Sequence, residues 1–207
     1  MRLLKFASRY HEPDRLETKR TILQRPQAGD YKAWAQLRRE SADFLRPFEP
    51  TWTADELTKS TFRARLRRQE ADIASGRGLP WFLFDRENPE ILLGGLTISN
   101  IRRGVAETGT LGYWMGRAFA DKGLMKEALL RVCDDVFSVH GLHRIEAATI
   151  FENQQSQGLL KRCGFREEGT ARRYLRINGE WRDHILFARL AEDKLQNKSI
   201  TEAEKSL

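Results

Sequence analysis

The residues best placed to do chemistry lie between Leu111 and Leu130. There an aromatic-bearing run, Leu111-Gly112-Tyr113-Trp114-Met115-Gly116, leads through Ala120-Asp121-Lys122-Gly123 into Leu124-Met125-Lys126-Glu127-Ala128-Leu129-Leu130. The first run has the short, aromatic-rich character of a strand. From Met125 onward, apolar residues recur at Leu129, Val132, Cys133, Val136 and Phe137, in steps of three and four that mark one buried face of a helix. A glycine-bearing turn that feeds a helix N-terminus presents free backbone N–H groups and the positive end of the helix dipole. It is a site suited to an anion, most often a phosphate. A Walker loop is excluded, because Asp121 and Gly123 stand where it needs Gly and then Ser or Thr. A dinucleotide-binding turn is excluded as well, because Gly116 and Gly123 do not have its glycine spacing.

These residues need a scaffold, and the 207-residue chain is long enough for one α/β domain with a sizeable core. Residues 1–15 read as a polar N-terminal arm, residues 16–190 as the domain, and residues 191–207 as a polar tail. Leu16 to Arg25 reads as one strand, stopped by Pro26. Asp30 is expected to cap a helix carrying Trp34 and Leu37, which ends before Pro47. Thr53-Ala54-Asp55-Glu56 has the form of a capping box opening a helix with Leu57, Phe62, Leu66 and Ile73, closed near Gly76. Pro80–Phe84 and Ile91–Ile98 form a β-hairpin, in which Gly94-Gly95 marks a bulge or a close backbone approach. Gly141 ends the central helix, and His143–Ile150 is a strand that the helical connection makes parallel to the Tyr113 strand. Asn153 opens a short helix terminated by Gly164. Phe165–Ile177 and Trp181–Leu190 are the last strands, joined through Asn178-Gly179.

Composition narrows the function classes. The apolar runs are only a few residues long, so no membrane span is expected. Arg9, His11 and Glu12 interrupt the N-terminus too early for a secretion signal, and the expected location is cytoplasmic. Cys133 and Cys163 fall on apolar helix faces and read as reduced core residues, not as a nucleophile or a metal pair. The net charge of +7 suits an anionic cofactor or nearby RNA. Arg63, Arg65, Arg67 and Arg68 cluster on one helix, either as an RNA contact or as a solvated face. Phe48, Pro50 and Trp52 put apolar and aromatic side chains in a loop, where they line a substrate groove or pack the loop onto the core.

Ala120-Asp121-Lys122-Gly123-Leu124-Met125 resembles the acetyl-CoA pyrophosphate loop of the GNAT acetyltransferase superfamily, usually Arg/Gln-x-x-Gly-x-Gly/Ala, with Gly123 as the strict match. Gly112-Tyr113-Trp114-Met115-Gly116, Lys122-Gly123-Leu124-Met125 and Glu127-Ala128-Leu129 are similar to the RimJ/RimL subgroup, which acetylates ribosomal-protein N-termini. Phe151-Glu152-Asn153-Gln154-Gln155-Ser156, followed by Leu159-Leu160-Lys161-Arg162-Cys163-Gly164-Phe165, resembles the family's Asn-x-x-Ser/Ala … Gly-Phe segment. The element order over residues 16–190 matches the GNAT fold, a central mixed twisted sheet flanked by helices.

The resemblance implies acetyl-CoA as cosubstrate and direct attack of an amine on its thioester. It assigns Tyr113, Trp114 and Met115 to the acetyl region through main-chain N–H groups that stabilise the oxyanion. Lys122, Gly123, Leu124 and Met125 fall to the diphosphate, and Asn153 to the pantetheine or acetyl region. Many relatives place an acidic Tyr where this chain has Leu160, so the resemblance points to Ser156 as the proton donor. No base stands out from the sequence: water or a modestly placed carboxylate suffices, and Glu107, which precedes the central strand, is the best carboxylate available. A protein α-amino group, with a pKa near ~7.7–8.0, demands only a modest base. Arg173-Tyr174 and Gly179 to His184 also look like this subgroup, and the hairpin with Tyr174, Trp181, Asp183 and His184 is either one wall of a peptide groove or a stabilising sheet edge. The partner so implied is the N-terminus of a protein met on the ribosome, with RNA near, no membrane and no metal. Two other readings stay open: acetylation of a small amine or antibiotic, and a non-catalytic module that binds acyl-CoA or RNA. The oligomeric state is open.

Overall fold

Strand alternation gives the central sheet two buried faces, and helices cover both. The computed structural model describes residues 15–193. The expected arm, apart from Arg15, and the tail beyond Asp193 lie outside the described residues. In chain order the elements are β1 (Arg15–Glu17), β2 (Thr21–Gln24), α1 (Tyr31–Glu40), α2 (Ala42–Leu45), α3 (Lys59–Ala74), β3 (Leu79–Asp85), β4 (Leu92–Arg102), β5 (Thr108–Met115), α4 (Leu124–Ser138), β6 (Arg144–Ile150), α5 (Gln154–Arg162), β7 (Arg166–Ile177) and β8 (Glu180–Leu190). The strands form one eight-stranded sheet in the order β1-β2-β3-β4-β5-β6-β8-β7. Its neighbours are antiparallel except β5 and β6, which run parallel as the helical connection requires.

β3 shows how the faces are divided. Trp81 and Leu83 point into the cluster that contains Leu129, Val132, Cys133 and Val136 of α4. Phe82 and Phe84 point the other way, against Trp34 and Leu37 of α1 and Phe62 and Leu66 of α3. Both cysteines are fully buried in the first cluster, and burial pushes the thiol of Cys133 up to about 12 and that of Cys163 to about 11. β7 is the outer edge strand. It is exposed along most of its length, and its register against β8 breaks twice, between Glu167 and Gly169 and between Ala171 and Leu175.

Four local expectations are corrected. The first strand is two, β1 and β2, because the Thr18 hydroxyl accepts the amide hydrogen of Thr21 at 2.9 Å and folds residues 18–20 into a hairpin turn. Asp30 does not cap α1 with its side chain; its carboxylate accepts from the Gln27 amide one turn earlier. The helix expected at Thr53 starts later. The Thr53 hydroxyl is spent on Asp55, and Thr58 caps α3 by accepting from the Thr61 amide. Finally, the arginine cluster on α3 divides: Arg63, Arg67 and Arg68 are exposed, whereas Arg65 lies over the Trp34 ring at 5.7 Å.

Gly94-Gly95 is a site of close backbone approach. A Cβ at Gly94 would lie 2.4 Å from the Trp114 carbonyl oxygen, and one at Gly95 would lie 2.5 Å from Trp114 Nε1. Glycine there lets β4 and the Trp114 segment of β5 meet at full contact. Gly94→Ala is therefore expected to destabilise by about 1–3 kcal/mol, read as a Tm lower by several degrees. Gly112→Ala, where an added Cβ meets nothing within 4 Å, is expected to leave Tm unchanged or slightly raised. Equal melting of the two variants would show that the approach is not constrained.

Candidate active site

β5 and β6 pair only over Thr108–Thr110 and Arg144–Glu146. Beyond those pairs the strands part, and residues 111–115 and 147–150 line a cavity of about 600 Å³. On its other side β5 stays paired with β4, and the Gly116 amide donates to Leu93 O at 2.9 Å. Strand alternation then turns the N–H groups of Tyr113 and Met115 away from β4 and into the cleft. They are sheet-type donors with no sheet partner, the kind of group that an oxyanion needs.

The N-terminus of α4 closes one end of the same cavity. Gly123 adopts φ +76°, a left-handed conformation that delivers the chain into the helix, and no side chain caps this end. Asp121, two residues before the N-cap, does not cap α4. Asp121 has φ +61° and its carboxylate accepts from Gln155 Nε2 at 3.1 Å, which ties the turn to α5. The first-turn amides, with the dipole behind them, are left for an external anion. Arg20, from the β1–β2 turn, braces this loop: Nη1 donates to the Lys122 carbonyl at 3.0 Å, and Nε donates to Glu127 Oε1 at 2.8 Å. Nothing in the sequence around Arg20 marked it for this position.

α5 closes the opposite wall. The Asn153 side-chain oxygen accepts from the Ser156 amide at 3.0 Å, an N-cap that presents Ser156 to the cavity. Ser156 Oγ lies 2.6 Å from Tyr113 Oη. Burial, offset in part by the Ser156 hydrogen bond, pushes the Tyr113 phenol up to about 12, so it stays protonated at neutral pH and can donate to Ser156 Oγ. In that arrangement the serine hydrogen is free for another acceptor in the cleft. Leu160 is buried and lines the cavity with a side chain that has no proton to donate.

Tyr113, Trp114, Met115, Gly123, Leu124, Met125, Asn153 and Ser156 thus line one cavity. Glu107 and Lys122 do not. Glu107 sits before the first residue of β5, six positions from Tyr113 or about 20 Å along a strand. Its carboxylate accepts from the Gly104 amide and pairs with Arg103. That turn, at the far end of β5, removes it from any reaction in the cleft. Lys122 offers its carbonyl to Arg20 and lays its ammonium over the Phe119 ring at 5.7 Å. In the last hairpin, His184 is buried and lines the cavity with Leu175 and Ile177. Tyr174 packs edge-on against His184 at 5.8 Å, whereas Trp181 is 62% exposed at the hairpin end. Asp183 accepts from the Arg173 amide.

A second cavity, about 310 Å³, shares Glu49, Gly112, Tyr113 and Trp114 with the first. Trp52 and Pro50 line it and Phe48 lines the first cavity, so the loop aromatics serve a groove. Arg38 and Glu49 form an ion pair on its wall, and burial, then the like charge of Arg38, holds Arg65 below its ordinary pKa. Sequence reading passed over both members of that pair.

Residues 20–166 match the model of the acetyltransferase (GNAT) domain family, and the chain belongs to that family. Among curated relatives it is 35% identical over 179 residues to the [ribosomal protein uS5]-alanine N-acetyltransferase of Escherichia coli K12, covering 86% of this chain and 92% of the relative. Among solved structures it is similar to Mycobacterium smegmatis RimJ in complex with CoA-disulfide, with TM-score 0.79 and 33% identity over 86% of this chain and 85% of that one. The Vibrio fischeri ribosomal-protein-S5-alanine acetyltransferase superposes with TM-score 0.80 at 28% identity, over 86% and 97%.

The buried phenol gives a direct test of the site's electrostatics. A raised folded-state pKa means that the folded protein holds this proton more tightly than the unfolded chain. The associated stability is present in full below about pH 10, the ordinary tyrosine value, and is lost as pH rises through about 12. Ultraviolet titration of wild type against Tyr113→Phe is expected to isolate one phenol ionising near 12. A difference signal near 10 would place Tyr113 in solvent.

Proposed function

We propose that the protein transfers the acetyl group of acetyl-CoA to the N-terminal amine of a protein, foremost a ribosomal protein with an N-terminal alanine. Membership of the acetyltransferase family and the names of its relatives support this reading. The observation that carries it is a single cleft with uncapped helix N–H groups at one end and a Tyr113–Ser156 hydroxyl pair at the other. The amides of Leu124, Met125 and Lys126 suit a diphosphate. The N–H groups of Tyr113 and Met115 suit the carbonyl oxygen as it gains charge. Acetyl-CoA supplies the activated thioester. The protein orients it, stabilises the oxyanion, and offers the Ser156 hydroxyl to the departing thiolate while Tyr113 holds Ser156 in place.

A polyamine substrate is disfavoured by the second cavity, whose two acids, Glu49 and Glu56, stand against two arginines, Arg38 and Arg65. We place the reaction in the cytoplasm, on or beside the ribosome. There the exposed Arg63, Arg67 and Arg68 of α3 would meet RNA, and a basic substrate tail would not be repelled by a protein of net charge +7. Among the described residues no helix is long and apolar enough to cross a membrane.

The test is calorimetry with acetyl-CoA followed by a panel of N-terminal peptides, polyamines and aminoglycosides, each scanned by mass for one added acetyl group. One acetyl-CoA bound per chain and acetylation of alanine-initiated peptides are expected. Transfer confined to small amines would move the substrate class, and binding with no transfer would leave a non-catalytic module. Ser156→Ala is expected to lower turnover by about 100-fold with acetyl-CoA affinity retained. Unchanged turnover would reassign Ser156 to a structural contact with Tyr113.

A further inference from the structure

The acyl-transfer reading leaves one chemical need unmet, a group to receive the proton of the attacking amine, and Glu107 is too remote to serve. Two carboxylates, Asp121 and Glu49, line the larger cavity. Asp121 is bound to Gln155 in the turn before α4, at the anion-binding end. Of these two carboxylates only Glu49 also lines the second cavity, beside the β5 segment whose N–H groups face the thioester position.

Glu49 is held with unusual care. Arg38 Nη1 donates to Oε1 at 3.1 Å, Arg38 Nη2 donates to Oε2, and Trp52 Nε1 donates to Oε2 at 2.7 Å. Its main-chain carbonyl accepts from the Asn178 amide at 2.8 Å, fastening the loop to the β7–β8 turn. Oε2 therefore carries two strong donors, whereas Oε1 carries one and keeps a lone pair for another N–H. Arg38 is only 2% exposed, and its guanidinium lies 5.8, 4.5 and 5.2 Å from the ring centres of Trp34, Trp52 and Trp114. Its Nε finds no hydrogen-bond partner. A buried guanidinium with an unmet donor is a poor stabilising device, and apolar residues would fill the space at lower cost. Its value lies in fixing the carboxylate at the junction of the cavities.

We propose that Glu49 binds the acceptor amine from the second cavity and takes its proton, and that Arg38 is the positioning residue that aims it. This rests on the acetyl-transfer reading. The nitrogen lone pair attacks the thioester carbon and forms the C–N bond, and the carbonyl π pair moves to oxygen beneath the Tyr113 and Met115 amides. Glu49 Oε1 takes the N–H proton and later releases it to solvent. The oxyanion collapses, the C–S bond breaks, and the thiolate leaves within reach of the Ser156 hydroxyl. The second cavity, walled by Trp52, Phe82 and Trp114, is sized for one small N-terminal residue and the start of an extended chain.

The charged or titratable groups that face Glu49 are Arg38 from α1, Arg65 from α3, Glu56 from the loop before it, Tyr113 from β5 and Arg46, which stacks on Trp52 at 5.0 Å. The experiment uses the full chain and an alanine-initiated peptide that wild type acetylates; if wild type acetylates no amine at all, the transfer reading itself fails. Glu49→Gln is expected to lower kcat/KM for the peptide by about 10²–10⁴ while the acetyl-CoA Kd stays within about threefold. Glu49→Asp should recover part of the rate. Arg38→Lys keeps the charge but not the two-pronged grip, and should lower kcat more than it raises the peptide KM. Wild-type turnover of the peptide by Glu49→Gln would overturn the proposal. So would parallel loss of acetyl-CoA binding, which would make Glu49 a structural tie.

Discussion

Everything at the candidate site depends on β5 and β6 letting go of each other after three residue pairs. A parallel pair in mid-sheet is normally sealed by main-chain hydrogen bonds along its full length. Here the bonds stop, and the edge groups of two central strands become a polar lining inside an otherwise apolar fold. An eight-stranded sheet is wide enough to hold that gap open, since β5 remains bonded to β4 and β6 to β8. The helices that follow each parting strand, α4 after β5 and α5 after β6, then bring their N-termini to the same opening. Strand divergence, anion turn and hydroxyl pair are one construction.

The parts legible in the sequence were local. The apolar spacing from Met125 to Phe137 located α4, and Gly123 located its start. Asn153 and Ser156 stood at capping distance, and Asn178-Gly179 announced the last hairpin. Each signal needs only neighbours within a turn or two, so the residues state it directly. The division of β3 into Trp81 and Leu83 on one face and Phe82 and Phe84 on the other was not visible, because a fully buried strand shows no polar alternation.

The site's side-chain chemistry was far less legible. Tyr113 and Ser156 are 43 positions apart, and Arg38 and Glu49 are joined across a helix break that only tertiary packing defines. Proximity in sequence misled in the case of Glu107. It directly precedes β5, but a strand carries its two ends far apart, and Glu107 stands at the end where β5 and β6 are still paired. Similarly, the Thr53–Glu56 pattern satisfied a capping rule on paper. The Thr53 hydroxyl found Asp55 as a nearer partner and left α3 to begin with Thr58. Polar side chains choose among several partners, and sequence alone does not rank them.

The Arg20 brace has a consequence for how the molecule is assembled. Arg20 and Glu127 are 107 positions apart, and their contact holds the turn that enters α4. Closing so long a loop is slow beside local helix formation. The chain can therefore wind α4 early, while the turn before it gains its Arg20 brace only when the first hairpin docks on the sheet.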